Sequence, residues 1–214
     1  KQVESLKKIE KSNKKVKKES SPSVFGLPLV AEDAIFVIDV SKSMDWQIDN
    51  LYNTIESLLM SCEVKRFRFL YYDQYIYDSQ RYWPYGWYAG TDSNKKIALN
   101  SSKKILPSLI NSEPYATNSG DALYSALKYS DTDVIYFITD GFPTWGDTDV
   151  DFILNKVNRL NRNRTIINSV MVGLPGATTN RYGRVVFLPE ARPKELYDFL
   201  HQLADQNGGA YVGR

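Results

Sequence analysis

Ala34-Ile35-Phe36-Val37-Ile38-Asp39-Val40-Ser41-Lys42-Ser43 is the stretch whose reading decides the fold. Its first five residues are apolar and rich in β-branched types, and the run is too short for a buried helix, so it reads as a strand covered on both faces. Asp39, Ser41 and Ser43 then arrive together at the carboxyl end of that strand, the edge on which open α/β sheets place their ligands. A second run of the same kind, Val134-Ile135-Tyr136-Phe137-Ile138, ends in Thr139-Asp140-Gly141. Asp140 is therefore expected on the same sheet edge as Asp39.

Two hydroxyls and a carboxylate at alternating positions form a poor nucleophilic set and a good one for a hard divalent cation, which takes oxygen ligands and keeps part of its water. Asp140 and Thr117, in Tyr115-Ala116-Thr117-Asn118-Ser119-Gly120-Asp121, are the candidates for the remaining oxygens. The alternative use of Ser41 and Ser43 is to cap the following helix, whose first N–H groups need acceptors. Capping leaves Asp140 unexplained.

These three pieces, Asp39-Val40-Ser41-Lys42-Ser43-Met44, the lone Thr117 before a helix, and Thr139-Asp140-Gly141-Phe142-Pro143-Thr144, resemble the metal-ion-dependent adhesion site of von Willebrand factor A domains. The resemblance runs from about Phe25 to Arg214, and the ending Gln206-Asn207-Gly208-Gly209-Ala210-Tyr211-Val212 is similar to bacterial members. It implies a Rossmann-like α/β three-layer sandwich with one Mg²⁺ or Mn²⁺. Ser41, Ser43 and Thr117 would be direct ligands, with Asp39 and Asp140 acting largely through water. Neutral hydroxyls leave most of the ion's charge uncompensated, so an open coordination position favours a carboxylate from a protein partner. Phe142 and Trp145 follow Asp140 in the same loop and are expected to rim the site, with packing of Trp145 on a neighbouring helix as the alternative.

The 214 residues suffice for one sizeable α/β domain, and no stretch is apolar enough to cross a membrane. Residues 1–20 hold eight Lys and three Glu; the +2 of the whole chain less the +5 of this segment leaves −3 for the remainder. Residues 1–24 are accordingly read as a basic, solvated leader and residues 25–214 as the domain. A polybasic contact with anionic lipid or nucleic acid is the competing use of the leader; for the domain no nucleic-acid partner is expected. Lys1 is no initiator, so a signal or membrane tether upstream of residue 1 is compatible with the sequence and an extracytoplasmic or membrane-anchored place is favoured. Cys62 is the only cysteine, which excludes an intrachain disulfide.

Outward from the metal motif, Ile48, Leu51, Ile55, Leu58 and Leu59 recur at helical spacing, predicting a helix over 46–61. The alternation of Phe67, Phe69 and Tyr71, with a turn before Gln74–Tyr77, predicts a hairpin and one antiparallel edge strand on an otherwise parallel sheet. Arg81-Tyr82-Trp83-Pro84-Tyr85-Gly86-Trp87-Tyr88 is dense in aromatics and serves either to cover a sheet edge or to bind a partner. Further helices are expected over 94–106, from Ser119, over 150–160 and over 193–207, with a strand over 166–172, a long loop over 174–189 and a last strand over 210–212.

Enzymatic readings find little support in the residues. His201 is the only histidine, it falls in the last expected helix, and there is no Gly-x-Ser-x-Gly elbow. A phosphotransferase of the haloacid dehalogenase type needs a second acid two residues after the first, where Ser41 stands, and no glycine-rich nucleotide loop is present. The expected function is a non-catalytic, metal-dependent protein-binding module for adhesion or assembly. A Mg²⁺-dependent phosphohydrolase using Asp39 and Asp140, and an accessory subunit with a purely structural site, are the alternatives.

Overall fold

Every side chain from Ala34 to Ile38 is fully buried in the computed structural model, and the sheet is assembled around that strand. The structure describes residues 23–24, 27–28, 30–78, 86–111, 116–174, 177–179, 184–187 and 192–213. The basic leader up to residue 22 and residues 81–85 of the aromatic segment lie outside them. A short hairpin, β1 (Ser23–Val24) and β2 (Leu27–Pro28), precedes the central β3 (Val30–Asp39). A 3₁₀ segment (Lys42–Gln47) and α1 (Ile48–Ser61) lead to β4 (Glu63–Tyr72), β5 (Ile76–Asp78), β6 (Tyr88–Ala89) and α2 (Asp92–Ile110). Then follow α3 (Ser119–Ala126), β7 (Val134–Thr139), α4 (Val150–Leu160), β8 (Ile166–Met171), β9 (Ala177–Thr179), β10 (Val185–Phe187), α5 (Pro193–Gln206) and β11 (Tyr211–Gly213).

The main sheet has the order β11-β8-β7-β3-β4-β5, with β6 also on β4. Its long strands are parallel, and the short β5 and β6 run antiparallel along the outer side of β4. The register sets Ile38 beside Ile138 and Asp39 beside Tyr72. Because strand side chains alternate, Phe36 and Ile38 join Leu51, Ile55, Leu58, Ala98 and Leu106 of α1 and α2 on one face. Ile35 and Val37 join Leu123, Ile153, Val157, Phe199 and Leu200 of α3, α4 and α5 on the other. The result is a mostly parallel, Rossmann-like α/β sandwich, as the two buried runs predict. Strand order reverses between β3 and β7, so both acidic strand ends open into the crevice at a topological switch point.

Local chemistry fixes the elements that frame this crevice. Asn118 accepts the Asp121 N–H at the start of α3, Asp149 accepts the Phe152 N–H of α4, and Pro193 occupies the first turn of α5. Four expectations need correction. Residues 42–47 form a 3₁₀ segment where the spacing predicted an α-helix from Trp46, because Met44 and Gln47 both turn inward at i, i+3. α2 continues through Pro107 to Ile110; a proline in the last turn removes one ladder bond, and burial of Leu109 and Ile110 outweighs it. β4 begins at Glu63, four residues before the alternation that starts at Phe67. The expected long loop after Leu174 contains the antiparallel hairpin β9–β10.

The part of the aromatic segment that is described covers the sheet edge. Tyr88 is buried and stacks on Phe67 with ring centroids 5.0 Å apart, and Trp87 meets Tyr129 edge-on at 6.2 Å. Among the described residues, no helix is long and apolar enough to cross a membrane.

Candidate metal centre at the switch point

Asp39 ends β3 and is fully buried. Its Oδ1 accepts the Ser41 backbone N–H at 2.8 Å, which folds the chain back sharply and aims the next hydroxyls over the strand end. Its Oδ2 accepts Thr139 Oγ1–H from the neighbouring β7 at 2.5 Å and Tyr72 O–H from β4 at 3.4 Å. Ser41 Oγ lies 3.0 Å from Ser43 Oγ, and Ser43 Oγ–H donates to Asp140 Oδ1 at 2.7 Å. The second oxygen of Asp140 accepts from the Gln47 amide. Asp39, Ser41, Ser43 and Asp140 thus form one continuous hydrogen-bonded chain across β3 and β7.

Thr117 reaches the same place from a third segment. A Cβ placed on Gly141 would stand 3.5 Å from Thr117 Oγ1 and 3.9 Å from Asp39 Oδ2, so those two oxygens flank the loop that follows Asp140. The Thr117 backbone is locked to that loop: its N–H donates to Thr144 Oγ1 at 2.9 Å, and its carbonyl accepts the N–H groups of Thr144 and Trp145 at 2.9 and 3.2 Å. Asn118 N–H donates to the Asp73 carbonyl at 2.8 Å, anchoring the segment from below. Gly146, at φ +67°, lies where a Cβ would come within 2.5 Å of Asn118 Oδ1. Gly146→Ala is therefore expected to destabilise the protein by about 1–3 kcal/mol, read by urea denaturation, because it combines backbone strain with displacement of the Asn118 cap.

The electrostatics of the pair are unfavourable as they stand. Burial pushes the Asp39 carboxyl above the ordinary range, against the lowering effect of its Ser41, Thr139 and Tyr72 donors. Asp140 is pushed well above it, first by burial and then by the negative charge of Asp39, against the bonds from Ser43 and Gln47. Every polar partner found for the two is a neutral N–H or O–H donor, and neither joins an ion pair among the described residues. Two buried carboxylates facing three hydroxyls suit a hard divalent cation, which would supply the missing positive charge and accept the hydroxyl lone pairs. The same set holds only two carboxylates; among the described residues no three of His, Cys, Asp and Glu gather as a metal cage.

Phe142 and Trp145 occupy different positions around this centre. Phe142 is half-buried against the α3–α5 side of the core with the Arg192 guanidinium 5.2 Å from its ring centre. Trp145 is 49% exposed beside the Thr117 carbonyl, so its ring is not consumed by packing on a helix. The sole histidine, His201, lies between Tyr197 and Tyr211, tilted against both rings, with ring centroids 4.2 and 4.1 Å away. Sequence reasoning missed Thr139 and Gln47. Thr139 stood in the quoted motif without a role. Gln47 carried one signal: it is a polar residue at an inward position of the apolar stripe Met44, Leu51, Ile55, Leu58.

No protein-family model matches the sequence, and no curated protein matches it. Solved structures do. An aerotolerance-related membrane protein from Bacteroides fragilis, crystallised with multiple mutations to serine, aligns over 86% of this chain and 92% of its own, with TM-score 0.60 and 18% identity. Proximal thread matrix protein 1 from the mussel byssus aligns over 86% of this chain and 43% of its own, at TM-score 0.52 and 14% identity. The human COPII-coat protein Sec24c aligns over 86% of this chain and 29% of its own, at TM-score 0.53 and 10% identity. At such identities the likeness is one of fold, and that fold agrees with the one implied by the Asp39 and Asp140 motifs. The chain thus shares a mostly parallel, Rossmann-like α/β fold with these three structures.

Proposed function

We propose that the domain is a non-catalytic, metal-dependent protein-binding module in which one Mg²⁺ or Mn²⁺ rests on Ser41, Ser43 and Thr117, supported by Asp39 and Asp140. The observation that carries this reading is the hydrogen-bonded chain of Asp39, Ser41, Ser43 and Asp140, buried at the switch point with no counter-cation among its partners. The bound ion would supply Lewis acidity toward an incoming carboxylate. Around it, Ser43 keeps its proton on Asp140, accepts from Ser41 Oγ–H and leaves one lone pair free, while Thr139 and Tyr72 hold Asp39. Trp145, exposed beside Thr117, offers apolar area next to the partner's acidic residue. The place of His201 between the Tyr197 and Tyr211 rings of α5 and β11 favours binding over hydrolysis. The membrane-protein description of the Bacteroides fragilis relative supports an extracytoplasmic or membrane-anchored place.

Water-proton relaxation of the Mn²⁺-loaded protein tests this directly. An acidic peptide should displace metal-bound water and lower the relaxivity, whereas its glutamine counterpart should not. Trp145→Ala is expected to weaken that peptide effect several-fold and to leave the melting temperature within about 2 °C, since single exposed substitutions stay within about 0.5 kcal/mol. Equal effects of both peptides, or turnover of a generic phosphate ester with Mg²⁺ that is lost in Asp39→Asn, would favour another account.

A further inference from the structure

Gln47 is 2% exposed, yet it is the residue before α1, where a side chain ordinarily serves the helix N-terminus. It makes no capping bond. Its side chain turns inward, Nε2 donating to Asp140 Oδ2 and lying 3.8 Å from Met44 Sδ, while Oε1 is buried without a hydrogen-bond partner. A glutamine that leaves one of its own oxygens unsatisfied inside the protein is there for what its nitrogen does. Its seat is also built from the other side. Gly173, in the turn after β8 and at φ +65°, lies so close that a Cβ would stand 1.6 Å from Gln47 Oε1. One turn residue beyond the sheet thus has to be glycine on two counts, conformation and space.

We propose that Gln47 is a positioning residue of the metal centre, seated by Gly173, and that the two act as a unit. The inference rests on the metal-binding reading above and deepens it. Asp140 has two oxygens and two side-chain donors, Ser43 on Oδ1 and Gln47 on Oδ2, so the plane of the carboxylate is set by both together. Ser43 alone leaves the group free to rotate about that bond. With Gln47 in place, Asp140 presents Oδ1 toward Ser43, one of the residues that would hold the cation, and the charge of the site stays at two carboxylates because position 47 is an amide. The neighbouring Trp46 Nε1–H donates to the Ala177 carbonyl of β9 at 3.0 Å, so the 3₁₀ segment that carries Gln47 is itself pinned to the hairpin that Gly173 introduces.

The test compares Mn²⁺ binding by calorimetry and Mn²⁺ electron paramagnetic resonance for the full chain and for Gln47→Leu, Gln47→Asn, Gly173→Ala and the double variant Gln47→Leu/Gly173→Ala. Loss of an outer partner of a metal ligand typically weakens affinity about 10–100-fold. That weakening is expected in Gln47→Leu and in Gln47→Asn, whose shorter amide does not reach Asp140. The resonance linewidth should change with it. Metal-free Gln47→Leu should stay folded with a lower melting temperature, because buried Asp140 Oδ2 loses its side-chain donor. Gly173→Ala should weaken binding to a similar degree, and the double variant no further, since both changes act on one contact. Unchanged Mn²⁺ affinity in Gln47→Leu and Gln47→Asn beside normal binding by the parent would overturn the role of Gln47 and leave the metal site standing. Additive losses in the double variant would overturn the pairing with Gly173. No binding by the parent chain would remove the metal reading and this inference with it.

Discussion

Asp39→Asn is expected to abolish calorimetric Mn²⁺ binding and at the same time to raise the melting temperature of the metal-free protein. Both halves follow from one geometry. The substitution is nearly isosteric: Oδ1 still accepts the Ser41 N–H, and Thr139 can turn its proton to the Gly141 carbonyl, 3.3 Å away, to receive the new amide. Half of the site's negative charge is lost, and with it the driving force for a divalent cation. In the metal-free protein the same charge is a liability, because burial raises the proton affinity of both carboxylates and the charge of Asp39 raises that of Asp140 further. The sign in pH is fixed by that direction. Folded pKa values above the unfolded ones mean that the pair's contribution to stability is complete below the ordinary carboxylate range of about 4 and is lost as pH rises through the raised folded values. Metal-free protein should therefore melt higher as the pH is lowered toward the ordinary carboxylate range, the slope should flatten in Asp39→Asn, and the melting increment given by Mn²⁺ should grow with pH as protons stop competing. A metal-free melting temperature that falls in Asp39→Asn, with the Mn²⁺ response retained, would contradict this.

Phe36→Ala should destabilise the fold by about 3–5 kcal/mol, the usual cost of deleting a buried aromatic ring. Phe36 sits at the middle of the central strand, fully buried, with ring centroids of Tyr136, Phe69 and Phe67 at 4.9, 5.6 and 6.5 Å. Those three belong to β7 and β4, the strands on either side, so the ring is the common contact through which the switch-point strands pack. A chain this size loses about 2–4 °C per kcal/mol, which puts the fall near 10 °C. The midpoint of urea unfolding measures it. A loss under about 1 kcal/mol would mean that the neighbouring rings collapse into the space and that Phe36 is not a fixed contact between β3, β4 and β7.

The acidic ends of the site were legible because each terminates a buried apolar run, and a strand of that type has only one edge at which to deliver a polar side chain. Ser41, Ser43 and Thr117 were legible through spacing and order. Gln47 was harder to see because a single polar residue in an apolar stripe also describes an ordinary helix boundary; its role depends on Gly173, which lies 126 positions away in the chain and is brought back by β8. Thr139 was hidden for a related reason, since a threonine inside a strand has good β-propensity and needs no further explanation. The β9–β10 hairpin escaped notice because its strands have three residues each, too few for alternation to register. Pro107 misled through a rule that holds in helix interiors and weakens in a last turn anchored by Leu109 and Ile110.

One divalent cation is proposed to occupy the switch-point crevice. Titrating Mn²⁺ into chelator-stripped protein at pH 7.5, with melting curves recorded in parallel, addresses it in one experiment. The account predicts saturable binding of one ion, a melting temperature that climbs with Mn²⁺ concentration, and competition by Mg²⁺. Absence of saturable binding up to millimolar Mn²⁺, or binding that survives unchanged in Asp39→Asn, would contradict it.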